Sequence, residues 1–272
     1  MKALFRWTSL TVAAVLFLLP FYLLVRNGLA SRAEITAPQW TFFPATAHWE
    51  NFSKLFSLDD VPFARSLLNS AIVAVLQTTG LLVVCSLAGY GLARIPYRHS
   101  RAVFYAVLAT LMIPTSVTFV PTFVVVSTLG WLSDFRGLVI PGLFSAFSVF
   151  LFRQYFLDFP RELEEAGRVD GLTRWGVFWR IVVPNSRGFF AAIAVISVIG
   201  SWNAFLWPLI IAQSPDSWTV QVALSGLLTA QNPQLNLLFL AAAVSILPIV
   251  LLFAFLQRYL VRGVTESGLG GS

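Results

Sequence analysis

Few residues in this chain have the type and spacing that nucleotide or metal chemistry needs. The lysines are Lys2 and Lys54, and they follow Met1 and Ser53. A phosphate-binding loop places glycine directly before lysine, so that backbone amides and the ammonium group cradle the phosphates. We therefore expect no ATP site within the chain. His48 is far from the single cysteine, and no histidine or acidic residue lies at ligand spacing, so we expect no metal site and no cofactor.

The apolar stretches also lack the groups that an intramembrane enzyme or an ion-coupled carrier would use. A hydrolase needs a nucleophile with a basic partner, but His48 and His99 lie in polar stretches and the apolar runs carry no carboxylate. Ion-coupled transporters keep ionisable residues inside their spans as relays. These absences favour a non-catalytic subunit that another protein drives. A stand-alone secondary solute carrier remains the alternative, and solute uptake by the purified chain without ATP or partners would establish it.

Composition indicates an all-α, polytopic membrane protein. Hydrophobic residues make up 57% of the 272 residues and charged residues 11%, against about 45–50% and about 25% in soluble domains. The net charge of +6 does not indicate nucleic-acid binding, because the basic residues lie in short segments beside apolar runs. Cys85 is alone, so the chain forms no internal disulfide bond.

We predict six transmembrane helices in a single transmembrane domain, residues 1–262, followed by a cytoplasmic tail, 263–272. The stretch from Arg258 to Ser272 is rich in glycine and is expected to be extended. Each apolar run is long enough to cross a bilayer. The first is expected to be a retained helix rather than a cleaved signal peptide. The predicted spans are approximately 8–26, 67–93, 103–128, 138–156, 189–212 and 235–257.

The stretches between and within these spans carry their own signals. Residues 26–65 show no sustained helical period, so we expect an extracytoplasmic loop with an interfacial aromatic portion. Pro114 and Pro121 are expected to kink the third span and Pro248 the sixth, because proline removes a backbone hydrogen bond. Residues 217–231 are expected to form an extracytoplasmic or re-entrant segment, divided from the sixth span by Asn232-Pro233-Gln234.

Charge asymmetry predicts that both termini face the cytoplasm. In that orientation thirteen of the eighteen Lys and Arg residues lie on the cytoplasmic side. Five lie outside: Arg26, Arg32, Lys54, Arg65 and Arg136. Because cytoplasmic loops are enriched in Lys and Arg, this orientation is favoured over its reverse.

The polar stretch from Pro160 to Arg187, called the docking segment below, lies between two apolar runs on the predicted cytoplasmic side. Its first half predicts a short helix that opens at Pro160, carries acidic residues in its first turn and stops at Gly171. Its second half predicts a helix capped by Thr173 and closed by Pro184. In this second helix one apolar face is expected from four residues at helical spacing: Trp175, Phe178, Trp179 and Val182.

The docking segment resembles the EAA loop of binding-protein-dependent ABC importer permeases. The resemblance rests on the order of seven residues: Glu165, Ala166, Gly167, Asp170, Gly171, Ile181 and Pro184. The family motif reads Glu-Ala-Ala, and this chain has Gly167 at the third position. In that family the loop forms a coupling helix that enters a cleft on the ATP-hydrolysing subunit. The resemblance therefore implies that these residues couple the chain to an ATPase, with Glu165 forming an ion pair with a partner arginine. A helix pair lying passively on the headgroups is the competing interpretation.

Further stretches resemble the carbohydrate-importing permeases, and most closely the six-span second permease of maltose-type and glycerol-phosphate-type systems. They are residues 67–80, 87–94, 112–123, 150–156 and 201–209. The resemblance implies transport of an oligosaccharide, polyol or glycerol-phosphate across the inner membrane, with ATP and Mg bound by other subunits. It also implies three kinds of partner: a second permease, two copies of an ATPase subunit and an extracytoplasmic solute-binding protein.

Polar and aromatic residues within the spans are candidates for the translocation pathway. Trp202 and Asn203 lie toward the outer part of the fifth span, where an amide should face protein or water and an aromatic face can stack on a sugar ring. An interhelical hydrogen bond and an aromatic-belt tryptophan would explain the same residues. Four weaker candidates are Asn69, Gln77, Thr118 and Thr122. No basic residue is evident in the spans, which favours a neutral sugar over a phosphorylated solute.

Overall fold

A computed structural model describes residues 2–229 and 233–268, with side chains for residues 4–229 and 233–255. Within these ranges the chain consists of helices, turns and loops, and no described residue belongs to a strand. The predicted all-α class is therefore confirmed. The chain divides into two compact units, residues 1–69 with 214–251 and residues 70–213 with 252–272, and α4 runs from the first into the second.

The α-helices are α1 Lys2–Gly28, α2 Arg32–Thr36, α3 Glu50–Phe56, α4 Phe63–Arg94, α5 Ser100–Thr110, α6 Thr115–Thr128, α7 Phe135–Val139, α8 Ala146–Asp158, α9 Arg161–Val169, α10 Arg174–Val177, α11 Val183–Asn185, α12 Arg187–Trp202, α13 Leu206–Ile211, α14 Val220–Thr229 and α15 Leu235–Gly268. Single turns of 3₁₀-helix span Ile140–Gly142 and Pro215–Ser217, and a π-helix spans Phe178–Val182.

Three described helices are long and apolar enough to cross a membrane: α1, α4 and α15. Three bent pairs pass the same test, and six spans result if each pair counts as one. The pairs are 100–110 with 115–128, bent by 96°, 135–142 with 146–158, bent by 45°, and 174–185 with 187–202, bent by 79°. The first break lies at Pro114, which cannot donate a backbone hydrogen bond, whereas Pro121 lies inside α6 and Pro248 inside α15.

The predicted loop 26–65 contains the short helices α2 and α3, which the sequence analysis missed. Ser31 and Glu34 form a capping box at the start of α2, a signal that the sequence carries as serine followed three residues later by glutamate. Asn51 of α3 is buried and donates to the carbonyl oxygens of Gly28 and Ala30 at 2.9 and 3.4 Å. Its own side-chain oxygen accepts from Asn236 at 3.2 Å, which ties α3 to α1 and α15 within the first unit.

The core of the second unit lies between α4, α8 and the docking segment. Its largest buried side chains are aromatic, with Phe152 and Phe156 of α8 and Phe178 of the π-helix each at most 1% exposed. Cys85 of α4 is fully buried, and the Ser145 amide donates to its sulfur at 3.4 Å. The Cys85 side chain therefore contributes to the packing of this core.

The carboxyl-terminal tail is helical through Gly268, and the prediction of an extended tail was wrong to that point. The tail continues a helix that is already nucleated, so each added residue gains a backbone hydrogen bond without a new nucleation cost. Residues 269–272 of the predicted tail, and Asn232 of the predicted divider, lie outside the described residues.

Candidate functional site

The first helix of the docking segment is α9, and its two ends follow from the sequence. Pro160 occupies the N-cap position, and Glu162 and Glu164 lie in the first turn, where the helix dipole favours negative charge. Gly171 ends the helix with a φ of +83°, a conformation that L side chains rarely adopt. The Gly171 amide donates to Arg168 O at 3.0 Å and the Leu172 amide to Gly167 O at 2.9 Å. This pattern is a Schellman motif, and it confirms the predicted stop.

The second half of the docking segment is helical but not a single regular helix. The Thr173 hydroxyl caps α10 by accepting from the Gly176 amide at 3.1 Å, as predicted. Residues 178–182 then form a π-turn, and α11 ends at Asn185, one residue beyond the partly buried Pro184. The predicted single apolar face is divided, because the wider π-turn changes the helical phase. Phe178 and Val182 are buried, whereas Trp175 and Trp179 are exposed.

Glu164 connects α9 to the end of α4. Its side chain is 10% exposed, and its Oε1 lies 2.8 Å from Nε of Arg94, whose side chain is 6% exposed. The Tyr90 hydroxyl donates to Glu164 Oε2 at 2.9 Å, and Arg94 also donates to the carbonyl oxygen of Phe159. We call Tyr90, Arg94, Phe159 and Glu164 the Glu164 cluster. Because these groups are buried together, α9 is held to α4 by an ion pair and hydrogen bonds.

Glu164 was not among the residues predicted from the sequence, whereas its neighbour Glu165 was. Glu164 and Gly167 are three residues apart and are the buried residues of α9. Gly167 also faces the interior. A Cβ added at this position would lie 2.3 Å from Ile181 Cδ1 of the same chain, so only glycine fits there without a shift of Ile181. A signal for Glu164 was available in Tyr90 and Arg94, which are four residues apart on one face of α4 and supply a hydroxyl and a cation.

The outward face of α9 presents Glu165 and Ala166, and Asp170 beyond the helix end is also exposed. Val169 on that face is 88% exposed, and Trp175 in the following helix is 61% exposed. Val169 lies four residues after Glu165 on the same helix face, and exposed apolar side chains of this kind mark surfaces that bind other proteins. A polar groove beside it is lined by three arginines and two glutamates: Arg94, Arg161, Arg168, Glu164 and Glu165.

Of the pathway candidates on α6, Thr118 is exposed and Thr122 is partly buried. Thr118 Oγ1 donates to Thr115 O at 3.1 Å and Thr122 Oγ1 to Thr118 O at 2.7 Å, so each hydroxyl proton is bound within the helix. The hydroxyl oxygens keep acceptor capacity. Trp207 of α13 packs edge-on against Phe119 at 5.7 Å and donates to Gly137 O at 3.0 Å, which holds α13 against α6 and α7.

The remaining pathway candidates occupy different environments. Asn69 is buried and donates to the carbonyl oxygens of Asp216 and Trp218 at 2.8 and 2.9 Å, which gives its amide a structural partner in the first unit. Gln77 packs over Gly142, at the break between α7 and α8. Trp202 is 5% exposed at the end of α12, and Asn203 is exposed in the break before α13.

The described residues contain no group of three or more His, Cys, Asp or Glu side chains that could hold a metal ion. His48 lies 2.7 Å from Glu50, which lowers the pKa of that carboxyl group through a side-chain hydrogen bond.

Comparison with known proteins places these features in a family. Residues 82–266 match the family described as binding-protein-dependent transport system inner membrane component. The chain is 31% identical to the arabinooligosaccharides transport system permease protein AraQ of Bacillus subtilis, over 95% of this chain and 92% of that protein. It is 34% identical to the lactose transport system permease protein LacG of Rhizobium radiobacter, over 96% of this chain and 94% of that protein.

Two further comparisons cover a similar share of the chain. Identity to the sn-glycerol-3-phosphate transport system permease protein UgpE of Yersinia pestis is 31%, over 95% of this chain and 94% of that protein. The fold resembles a chain from the crystal structure of a bacterial ABC transporter involved in the import of the acidic polysaccharide alginate. The TM-score is 0.83 at 21% identity, over 95% of this chain and 96% of that chain.

Members of this family are non-catalytic membrane components, and a separate ATPase handles ATP. The match covers both the docking segment and the Glu164 cluster. The chain therefore belongs to the family of binding-protein-dependent transport inner membrane components and is a multi-pass permease of the inner membrane.

Proposed function

We propose that this chain is the translocation subunit of an ABC importer that carries a sugar into the cytoplasm. The observation that carries the proposal is the outward face of α9, where Glu165 lies beside strongly exposed apolar side chains. In a loop that faces only water these apolar side chains would stay hydrated, which is unfavourable, whereas a docked ATPase would bury them. The relatives with the names AraQ and LacG, which transport arabinooligosaccharides and lactose, support a sugar as solute.

The coupling step works through a rigid connection. When ATP binding closes the partner ATPase dimer, the docking segment moves with it, and Glu165 forms an ion pair with an arginine of the ATPase. Ala166 adds a small exposed side chain that permits close approach, Gly171 forms the turn between the two halves, and Pro184 lies near the end of the second half. Gly167 lets Ile181 pack closely, so the two halves move as one body. The Glu164 cluster passes that movement to α4, and the spans reorient.

The solute pathway runs along the polar positions of the spans. Acceptor oxygens of Thr118 and Thr122 on α6 and the amides of Gln77 and Asn203 would bind sugar hydroxyls, and the buried Trp202 would support the pathway wall from within the chain. Asn69 contributes by holding the outer end of α4, since its amide is bound to backbone carbonyls. Apart from Arg65, Arg94, Arg153 and Arg187 near span ends, the central parts of α4, α6, α8 and α12 carry no basic residue, which supports a neutral solute.

The complex would contain a second permease, two copies of an ATPase subunit and an extracytoplasmic solute-binding protein. The excess of Lys and Arg in the segments between α4 and α5 and around α9 to α12 supports a cytoplasmic docking segment, with both termini on the same side. Within this complex, the chain would contribute one permease domain, residues 1–262, and a cytoplasmic tail, residues 263–272.

The first experiment is mass spectrometry of the proteins that co-purify with the tagged chain in mild detergent. We expect an ATPase subunit and a second permease. The complex is then reconstituted with its binding protein, and ATP-driven uptake of lactose, an arabino-oligosaccharide and glycerol 3-phosphate is measured. Uptake of either sugar, and none of the phosphate ester, is expected. A homo-oligomer that takes up sugar without ATP would instead establish a secondary carrier.

Glu165→Lys tests the coupling step, with Glu162→Lys as its matched control on the same helix. Reversing the charge at the docking face should reduce ATP-driven uptake by about tenfold or more, since a lost charge-assisted contact is worth about 1.5–3 kcal/mol. Glu162→Lys should retain most of the uptake. Both variants should fold and insert at wild-type levels, because both side chains are exposed in the isolated chain. Wild-type uptake by Glu165→Lys would refute the assigned role.

A further inference from the structure

The segment after α2 exposes an aromatic surface that the transport function does not explain. Trp40, Phe42 and Phe43 are 60%, 54% and 70% exposed. Trp40 packs edge-on against Phe42 at 5.8 Å, and Phe42 against Phe43 at 5.0 Å, so the three rings form one surface. No Asp, Glu, Lys or Arg occurs between Glu34 and Glu50. We call residues 37–45 the aromatic segment.

Side chains from the last turns of α1 hold the aromatic segment in place. The buried Arg26 donates to Thr41 Oγ1 at 2.9 Å. The Tyr22 hydroxyl donates to the Phe42 carbonyl oxygen, and the two rings stack with centroids 4.7 Å apart. The segment therefore runs alongside α1 and does not extend away from it.

Glu34 closes the other end of the segment. Its Oε1 accepts from the Ala45 amide at 2.7 Å, and its Oε2 accepts from the Ser31 amide at 3.1 Å. The bonds from the Ser31 and Ala45 amides lower the pKa of the Glu34 carboxyl group, so it is ionised at neutral pH. The aromatic rings are thus displayed by a loop fixed at both ends.

The position of Arg26 gives the depth of this surface. Leu4–Gly28 is a candidate span, and its apolar window is 0% buried within the chain. A charged residue near the end of a span marks the level of the headgroups. Tyr22 precedes Arg26 by four residues, which places it about 6 Å deeper at 1.5 Å per residue. Phe42, stacked on Tyr22, lies at that depth, with Trp40 and Phe43 beside it.

We propose that the aromatic segment is a lipid-binding surface, seated at the boundary between headgroups and acyl chains where α1 leaves the membrane. Aromatic residues favour this boundary, and charged residues avoid the layer below it. The phospholipid bilayer fits because the segment is uncharged, exposes its aromatic rings and runs beside the last turns of a candidate span. This role is separate from transport: the surface sets the depth and tilt of α1. In the orientation proposed above it lies on the extracytoplasmic side.

Depth-dependent fluorescence quenching tests the proposal. The full chain, with the subunits that co-purify, is reconstituted into phosphatidylcholine vesicles with bromine either near the carbonyl end or near the methyl end of the acyl chains. The emission of Trp40 is obtained by subtracting the spectrum of Trp40→Phe from that of the wild type. Bromine near the carbonyl end should quench this emission about twofold more strongly than bromine near the methyl end, as expected for an interfacial ring.

Trp202→Phe provides the control, because Trp202 is 5% exposed within the chain and its difference spectrum should not respond to brominated lipid. Trp40 emission that neither lipid quenches would overturn the proposal, whether aqueous iodide quenches it, as for a water-exposed ring, or not, as for a ring covered by protein. If Trp40→Phe fails to fold, Phe43→Trp adds a probe at a 70% exposed position, and the added emission should show the same preference.

Discussion

Two adjacent glutamates on α9 have opposite environments, so they can have different roles although both lie in the same sequence motif. Glu165 is exposed and available to a partner, whereas Glu164 is buried against Arg94 and Tyr90. A buried carboxylate needs a cation and hydrogen bonds to offset its lost hydration, and Glu164 has both. The two residues therefore have separate roles: Glu164 holds α9 to α4, and Glu165 is the residue proposed to contact the ATPase.

Glu164→Gln should destabilise the subunit while leaving the docking face unaltered. It leaves the Arg94 guanidinium buried without its counter-charge, which costs on the order of 3 kcal/mol. We expect a lower thermal midpoint of the purified complex, and reduced uptake with ATPase binding retained.

The double variant Glu164→Gln with Arg94→Met is the matched control. Replacing both charges by neutral groups of similar length removes the unpaired ion, so the thermal midpoint should largely recover. Wild-type stability of the single variant would show that the ion pair does not hold α9.

Among the helices, the end of α9 depends on backbone conformation more than on side-chain contacts. A Cβ at Gly171 would meet no atom within 4 Å, so only its φ of +83° opposes substitution. Gly171→Ala should cost about 1–2 kcal/mol, the penalty of the left-handed conformation for an L residue. Gly171→Asn should cost less, since asparagine tolerates that conformation.

Gly188→Ala is the control for this prediction. Gly188 lies in α12, also has no atom within 4 Å of a built Cβ, and has no positive φ. Alanine there should be neutral or stabilising by at most about 1 kcal/mol. Thermal unfolding of the purified complexes compares the variants, and equal midpoints for Gly171→Ala and the wild type would contradict the strain at the helix end.

Sequence signals predicted some elements well because their causes are local. Pro160, Thr173 and Gly171 determine caps and ends by their own backbone and side-chain chemistry, and the structure confirms all three. The division of the apolar face in the second half of the docking segment was not predictable in this way. It depends on a π-turn at residues 178–182 and on packing against α4 and α8, which a helical period cannot report.

At the scale of the whole molecule, length and hydropathy located the spans but not their breaks. The three continuous candidate spans, Leu4–Gly28, Phe63–Arg94 and Leu235–Phe255, each begin and end within four residues of a predicted apolar run, whereas α15 itself continues to Gly268. The bends of 96°, 45° and 79° in the other pairs depend on which backbone groups find partners in three dimensions. Glu164 was missed for a related reason, because its partners lie 70 or more residues earlier in the chain.

The orientation in the membrane is the remaining prediction at this scale. It is tested with single cysteines in a Cys85→Ser background, since Cys85 is the one cysteine in the sequence. Ser57→Cys and Arg174→Cys each replace an exposed residue outside the three continuous spans. The excess of Lys and Arg around the docking segment predicts that residue 174 is cytoplasmic and residue 57 extracytoplasmic.

A membrane-impermeant maleimide applied to intact cells, with the outer membrane opened where one is present, should therefore label Ser57→Cys and leave Arg174→Cys unlabelled. Opening the inner membrane should make both positions reactive, which controls for accessibility of the thiols. The reverse pattern in intact cells would place the docking segment on the side without ATP. Glu165 would then have no ATPase to meet, and the exposed apolar face of α9 would need a partner of another kind.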